Sequence, residues 1–122
     1  MSGRSTEITV VDDSVVAEAL AVIHQRACED VTVNEVLKEV SVSRSILYER
    51  FNKSLGHSPH EHIMRIRLRR VCELLSHTSW PLERIAKDAG FKYPDYLGRV
   101  FRKRFGVTPG QYRKQQQPAG RH

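Results

Sequence analysis

The chain has 122 residues, 39% of them hydrophobic, so it can build one modest core or two small ones and is too apolar for a disordered chain. No apolar run reaches the roughly 20 residues of a membrane span, and the start of the chain lacks the basic and apolar segments of a secretory signal. The net charge of +6 is uneven: residues 1–39 hold three Lys/Arg against eight acids, a net of −5, whereas residues 40–122 hold 17 against six, a net of +11. A basic segment of that size is the electrostatic footprint of a polyanion binder. Cys28 and Cys72 lie far apart in amphipathic surroundings and fit reduced, packed thiols better than a disulfide framework.

Residues 1–11 read as a linker or tail. A first helix is predicted over 12–28, capped by Asp12 or Asp13, with Val16, Leu20, Ile23 and Ala27 on one face. Thr32-Val33-Asn34-Glu35 is a capping box that opens a second helix, with Val36, Leu37 and Val40 inward. A turn at Ser41-Val42-Ser43 leads to a third helix, about 44–55, anchored by Ile46, Leu47 and Phe51 and ended by Gly56. Ser58-Pro59-His60-Glu61 starts a long helix, about 59–76, with an apolar stripe of Ile63, Ile66, Val71, Leu74 and Leu75. Its exposed side carries Arg65, Arg67, Arg69 and Arg70, which read as a solvated face, and Trp80 reads as a staple over its end. A fifth helix, about 81–89, buries Leu82, Ile85, Ala86 and Ala89, and Gly90-Phe91 turns the chain. A sixth, about 94–105, buries Leu97, Val100, Phe101 and Phe105, and Gly106 closes it. Thr108-Pro109-Gly110-Gln111 begins a short last helix through Tyr112, and 115–122 read as a disordered tail. No strand pattern occurs, so the expected class is all-α.

The chain repeats itself. Val36, Val40, Ser41 and Val42 match Ile85, Ala89, Gly90 and Phe91 at an offset of 49, and Leu47, Phe51, Gly56 and Pro59 match Leu97, Phe101, Gly106 and Pro109 at an offset of 50. One residue inserted in the second turn reconciles the two. The repeated unit is helix, tight turn, helix, Gly, Ser/Thr-Pro, helix. This is the plan of a helix-turn-helix, in which one helix orients a second whose polar face enters the major groove. The predicted architecture is therefore two helix-turn-helix subdomains, 12–58 and 78–114, joined by a long linker helix, 59–77, with about seven helices in all. The outward faces carry Arg44, Ser45, Tyr48 and Glu49 on the first recognition helix, and Asp95, Tyr96, Arg99, Arg102 and Lys103 on the second. Two such helices suit successive major grooves ~34 Å apart, with the linker helix, roughly 27 Å long, as a spacer.

At these residues the chain resembles the DNA-binding domain of the AraC/XylS family of transcription regulators, over about 13–113. The motif is Leu82-x-x-Ile85-Ala86-x-x-Ala89-Gly90-Phe91, followed by Phe101-Arg102-Lys103-Arg104-Phe105-Gly106-Val107-Thr108-Pro109-x-x-Tyr112-Arg113. The first unit adds Ser43-Arg44-Ser45-x-Leu47, Arg50-Phe51 and Gly56-x-Ser58-Pro59. Within the family, Ser43-Arg44-Ser45 and Ala27-Cys28 are most similar to xylose-operon activators of the XylR type. The resemblance implies base-edge contacts at Ser45, Tyr48, Glu49, Pro94, Asp95, Tyr96 and Arg99; Arg44 joins them from its exposed place at a helix start. Lys53, Arg102, Lys103 and Arg104, toward helix ends, are phosphate candidates, together with Ser43, Lys92 and Tyr93. The chain departs from the family pattern at Leu97, where an aromatic is usual, and at Pro94 and Asp95, where small or amide residues are. Asp95 and Glu49 suit acceptance from cytosine N4 and not contact with phosphate.

The resemblance also implies promoter DNA and RNA polymerase as partners and a separate sensor domain for a small molecule, a sugar such as xylose if the subfamily holds. Residues 1–11 are too short to be that sensor, so the chain reads as a piece of a longer cytoplasmic, nucleoid-associated regulator. An RNA-binding or protein-interaction module is the alternative. Single-stranded RNA wants aromatics on an open surface, whereas the phenylalanines here fall at core phase. An enzyme wants convergent polar groups, and no nucleophile–base set or glycine-rich phosphate loop is present. No cofactor is expected. His57, His60 and His62 do not converge as metal ligands, because 60 and 62 point to different sides of a helix.

Overall fold

The computed structural model describes residues 12–117, and among them every regular element is helical. In chain order these are α1 (Ser14–Arg26), a 3-10 turn (Ala27–Glu29), α2 (Val33–Val40), α3 (Arg44–Leu55), α4 (Pro59–His77), α5 (Leu82–Asp88), α6 (Pro94–Phe105) and α7 (Pro109–Gln116). The expected linker at 1–11 and residues 118–122 of the expected tail lie outside the described residues. The chain divides into two units. Among the described residues, the first holds 12–26 and Val31–Ile63; the second holds Ala27–Asp30 and 64–117.

In the first unit, α1 packs against α2 and α3. Val16, Ala19 and Ile23 of α1, Val33, Val36 and Val40 of α2, and Leu47 and Phe51 of α3 are buried. The side chain at Asp13 starts α1, accepting from the Val15 and Val16 amides at 2.9 and 3.3 Å, and also pairs with Arg50 at 3.5 Å. The capping box forms as the sequence predicts: Thr32 Oγ1 accepts from the Glu35 amide at 3.2 Å and Glu35 Oε1 accepts from the Thr32 amide at 3.0 Å. At the other end of α2, Ser41 takes a left-handed conformation with φ 57°.

In the second unit, Leu68, Val71, Leu74 and Leu75 of α4 meet Ile85, Ala86, Ala89, Phe91, Leu97 and Phe101 in one apolar cluster. Phe101 packs edge-on to Tyr112 with ring centroids 5.6 Å apart. Trp80 lies partly buried against this cluster, with the Arg84 guanidinium 3.6 Å over its ring.

Four expectations change. First, α7 runs to Gln116, beyond Tyr112, and Gln117 is tied down: its side-chain amide donates to the carbonyls of Leu75, Ser76 and Thr78 at 2.7, 3.1 and 3.1 Å. Arg113 adds bonds to the carbonyls of Leu75 and Trp80. Of these acceptors, the carbonyls of Leu75 and Ser76 are ones that the end of α4 leaves without helical partners. Second, Arg67 and Arg70 are half-buried and not simply solvated. Arg67 Nε donates to the Ala27 carbonyl at 2.6 Å, and burial lowers its pKa from the ordinary value. Arg70 grips Asp88 with Nε and Nη2 at 3.0 and 2.9 Å. Third, Phe105 is 42% exposed, because it lies in the last turn of α6 and covers Phe101 and Tyr112 from outside. Fourth, Ile46, expected as an apolar anchor of α3 with Leu47 and Phe51, is 41% exposed, because it stands about 100° around the helix from Leu47 and shares its face with Glu49, Arg50 and Lys53.

Candidate nucleic-acid interface

Each unit contains two successive helices joined by a short turn. In the first, α2 and α3 are separated by Ser41–Ser43; in the second, α5 and α6 are separated by Ala89–Tyr93. Ser43 starts α3, its hydroxyl accepting from the Ile46 amide at 3.2 Å. Tyr93 starts α6 without a side-chain cap, and Pro94 stands in the first turn, where its missing N–H costs nothing.

The second helix of each pair has one buried seam, Leu47 with Phe51 in α3 and Leu97 with Phe101 in α6. Away from that seam, Ser45, Glu49 and Lys53 of α3 are exposed; Arg44 is exposed at the helix start, and Tyr48 is half-buried. On α6, Asp95, Tyr96, Arg99, Arg102, Lys103 and Arg104 are exposed, and Pro94 is half-buried. Ser43, Lys92 and Tyr93 are exposed in the turns. Ser45, Glu49 and Lys53 of α3, and Asp95, Tyr96, Arg99, Arg102 and Lys103 of α6, thus share the outward face of their helix, while Arg44, Pro94 and Arg104 stand at helix ends.

Several of them are held in place. Arg44 hydrogen-bonds the side-chain oxygen of Asn34 on α2 and lies 5.7 Å over the Tyr48 ring. Its direction is therefore set by the helix that orients α3. Arg99 lies 5.7 Å over the Tyr96 ring. Three basic residues, Arg102, Lys103 and Arg104, fill the last turn of α6, where the carbonyl end of a helix favours positive charge. Four exposed residues of α3 fall outside the candidates named from sequence: Ile46, Asn52, Ser54, and Arg50 with its ion pair to Asp13. The offset-50 repeat carries a signal for Ile46, since it aligns that residue with Tyr96.

A histidine arrangement also escapes the sequence pattern. His57 stacks on His62 with centroids 5.1 Å apart, and the two share a 2.8 Å nitrogen–nitrogen hydrogen bond. His24, from α1, reaches the other side of His62 at 3.1 Å. His62 spends one ring nitrogen on each neighbour, so no three lone pairs point to a common centre. Among the described residues no group of three or more ligating side chains has metal-binding geometry, and no helix is long and apolar enough to cross a membrane.

The family model described as a helix-turn-helix domain matches residues 36–115. The chain belongs to the AraC-type helix-turn-helix family. It is 36% identical over 106 residues to a putative AraC-like transcription regulator of Streptomyces antibioticus, covering 87% of this chain and 35% of that protein. It is 33% identical over 110 residues to the xylose operon regulatory protein of Escherichia coli (strain K12), covering 90% of this chain and 28% of that one. Its fold is similar to the DNA-binding domain of AdpA, a global transcriptional factor solved in complex with a target DNA. There the TM-score is 0.76, identity is 25%, and 86% of this chain and 97% of that one are covered. The chain spans well under half of the length of the two curated relatives named here, 28% and 35%. Both relatives named here are transcription regulators. The matched residues begin within α2 and span both helix-turn-helix elements, α2 with α3 and α5 with α6.

Proposed function

We propose that this chain is the DNA-reading part of a transcription regulator, and that it binds duplex promoter DNA with sequence preference through α3 and α6 in successive major grooves. The observation that carries this reading is the duplicated helix-turn-helix whose two second helices each pair a buried apolar seam with an exposed polar face. A helix so built is committed to a core on one side and free to enter a groove on the other.

On this reading Arg44, Ser45, Tyr48, Glu49, Pro94, Asp95, Tyr96 and Arg99 face base edges. Arg99 suits guanine O6 and N7, and Glu49 and Asp95 suit cytosine N4 as acceptors. Ser43, Lys53, Lys92, Tyr93, Arg102, Lys103 and Arg104 fix register on the phosphates. The basic segment supplies affinity through counterion release, so binding weakens steeply with salt. RNA polymerase is the expected protein partner. A sensor domain elsewhere in the full regulator binds a small molecule, and the likeness to a xylose operon regulator favours a sugar. Such a protein works in the cytoplasm, where the promoter is.

Selection of preferred sites from a random duplex pool, followed by competition with random duplex at physiological salt, tests the reading. A recurrent site held at least about 1,000-fold more tightly than random duplex is expected. Equal affinity for all sequences would refute sequence reading.

A further inference from the structure

We propose that Ile46 is a further specificity residue of α3, reading a thymine 5-methyl group by apolar contact. The inference rests on α3 being a recognition helix, as above, and adds a residue and a base chemistry to that reading. Ile46 is 41% exposed, while its neighbour Leu47 is fully buried. A single exposed isoleucine is ordinary on a protein surface. Its register is what makes this one informative. The offset-50 repeat aligns Ile46 with Tyr96, which is 38% exposed. Each residue directly precedes the buried leucine of its helix, Leu47 or Leu97, and each stands three positions before the charged base-edge candidate, Glu49 or Arg99. Both second helices therefore present one bulky side chain at the same point of the outward face.

The surroundings of Ile46 are polar. It lines a shallow open depression with Asp13, Glu49, Arg50 and Lys53. The last three stand three, four and seven residues on, so they share its helical face. Arg50 and Lys53 suit the phosphates that border a groove, which leaves Ile46 over the groove floor. There an isoleucine has no hydrogen-bonding atom to offer. The only major-groove feature it can favour is the thymine methyl, which cytosine lacks. Ile46 therefore selects thymine over cytosine at one base pair, alongside the polar readers Ser45 and Glu49.

The test uses the whole chain and the site it selects from a random duplex pool. Each thymine of that site is replaced in turn by deoxyuridine, which keeps base pairing and removes only the methyl. At one or two positions wild-type affinity is expected to fall about fourfold, the worth of one buried methyl-sized group. In Ile46→Ala the difference between thymine and deoxyuridine vanishes there and persists elsewhere, and Ile46→Val keeps part of it. The proposal is overturned if wild type shows no thymine–deoxyuridine difference at any position, or if Ile46→Ala retains every such difference. Should Ile46→Ala fold poorly, Ile46→Val carries the comparison, and an undiminished thymine–deoxyuridine difference at every position in that variant overturns the proposal. A pool that yields no preferred site overturns the DNA-reading function and this inference with it. A preferred site without an Ile46-dependent thymine overturns the inference alone.

Discussion

The two units make the same turn with different residues. In the first, the left-handed position after α2 is Ser41 with φ 57°; in the second, Gly90 follows α5 with φ 93°. Ser41 is exposed, so a side chain there meets solvent and costs only local strain. Gly90 is buried: a Cβ built on it would lie 2.7 Å from the Ala27 carbonyl oxygen, 2.9 Å from Arg67 Nε and 3.0 Å from Cys28 Cα. The first turn therefore tolerates serine, while the second requires glycine for two reasons at once, its dihedral and its packing. The starts of the oriented helices differ too. α2 opens with a complete capping box, whereas α5 opens at Pro81 with no side-chain cap and relies on its buried residues Ile85 and Ala86. The electrostatics diverge in the same sense. α6 ends in three consecutive basic residues, and α3 carries Glu49 on its outward face. The orienting helix and its turn are thus held by a local cap in the first unit and by tertiary contact in the second.

Substitutions at the turns give the largest contrast. Gly90→Ala should cost about 3 kcal/mol of stability, from left-handed strain plus overpacking. Gly106→Ala, at φ 80° with nothing within 4 Å of the added atom, should cost about 1 kcal/mol. Ser41→Gly should change little, within about 0.5 kcal/mol, because relief of strain is offset by the entropy of glycine. Thermal melting of the three variants checks the order; a Gly90→Ala cost no larger than that of Gly106→Ala would remove the packing argument.

The recognition helices come next. Arg99→Ala should lose about 1–3 kcal/mol of discrimination at particular base pairs. Affinity across single-base variants of the selected site reads this out, and a loss equal for all variants would reassign Arg99 to phosphate. At the start of α2, Thr32→Ala should cost about 1 kcal/mol through the lost cap, measured by urea unfolding. An unchanged midpoint would mean that packing alone holds α2. The smallest effect is expected at Lys103→Ala, a several-fold loss shared by all sequences, with the slope of log affinity against log salt reduced by about one. An unaltered slope would take Lys103 off the phosphates.

Much of this was legible in the amino-acid order because the signals are local. Thr32 with Glu35 and Thr108 with Gln111 form capping boxes, and Gly56 and Gly106 take the left-handed positions that end α3 and α6. Each is settled within one helical turn, so spacing alone reveals it. The duplication was visible for the same reason, and with it the outward faces that carry the site candidates. What periodicity left unsettled is where a helix face stops being covered. Phe105 keeps the phase of the core and Ile46 has the apolar character of a core residue, yet both sit at its margin, where neighbouring chain decides exposure. Arg67 has the spacing of a solvated face, but the Ala27 carbonyl, 40 residues away in sequence, gives it a partner. Gln117 belongs to a polar run that reads as tail, and the carbonyls at the end of α4 hold it. Caps, turns and the repeated helix-turn-helix plan came from the sequence itself, since each rests on neighbours in the chain. The burial of Gly90, the exposure of Ile46 and the tethering of Arg67 and Gln117 were decided only by tertiary structure, since each depends on chain segments that folding alone brings together.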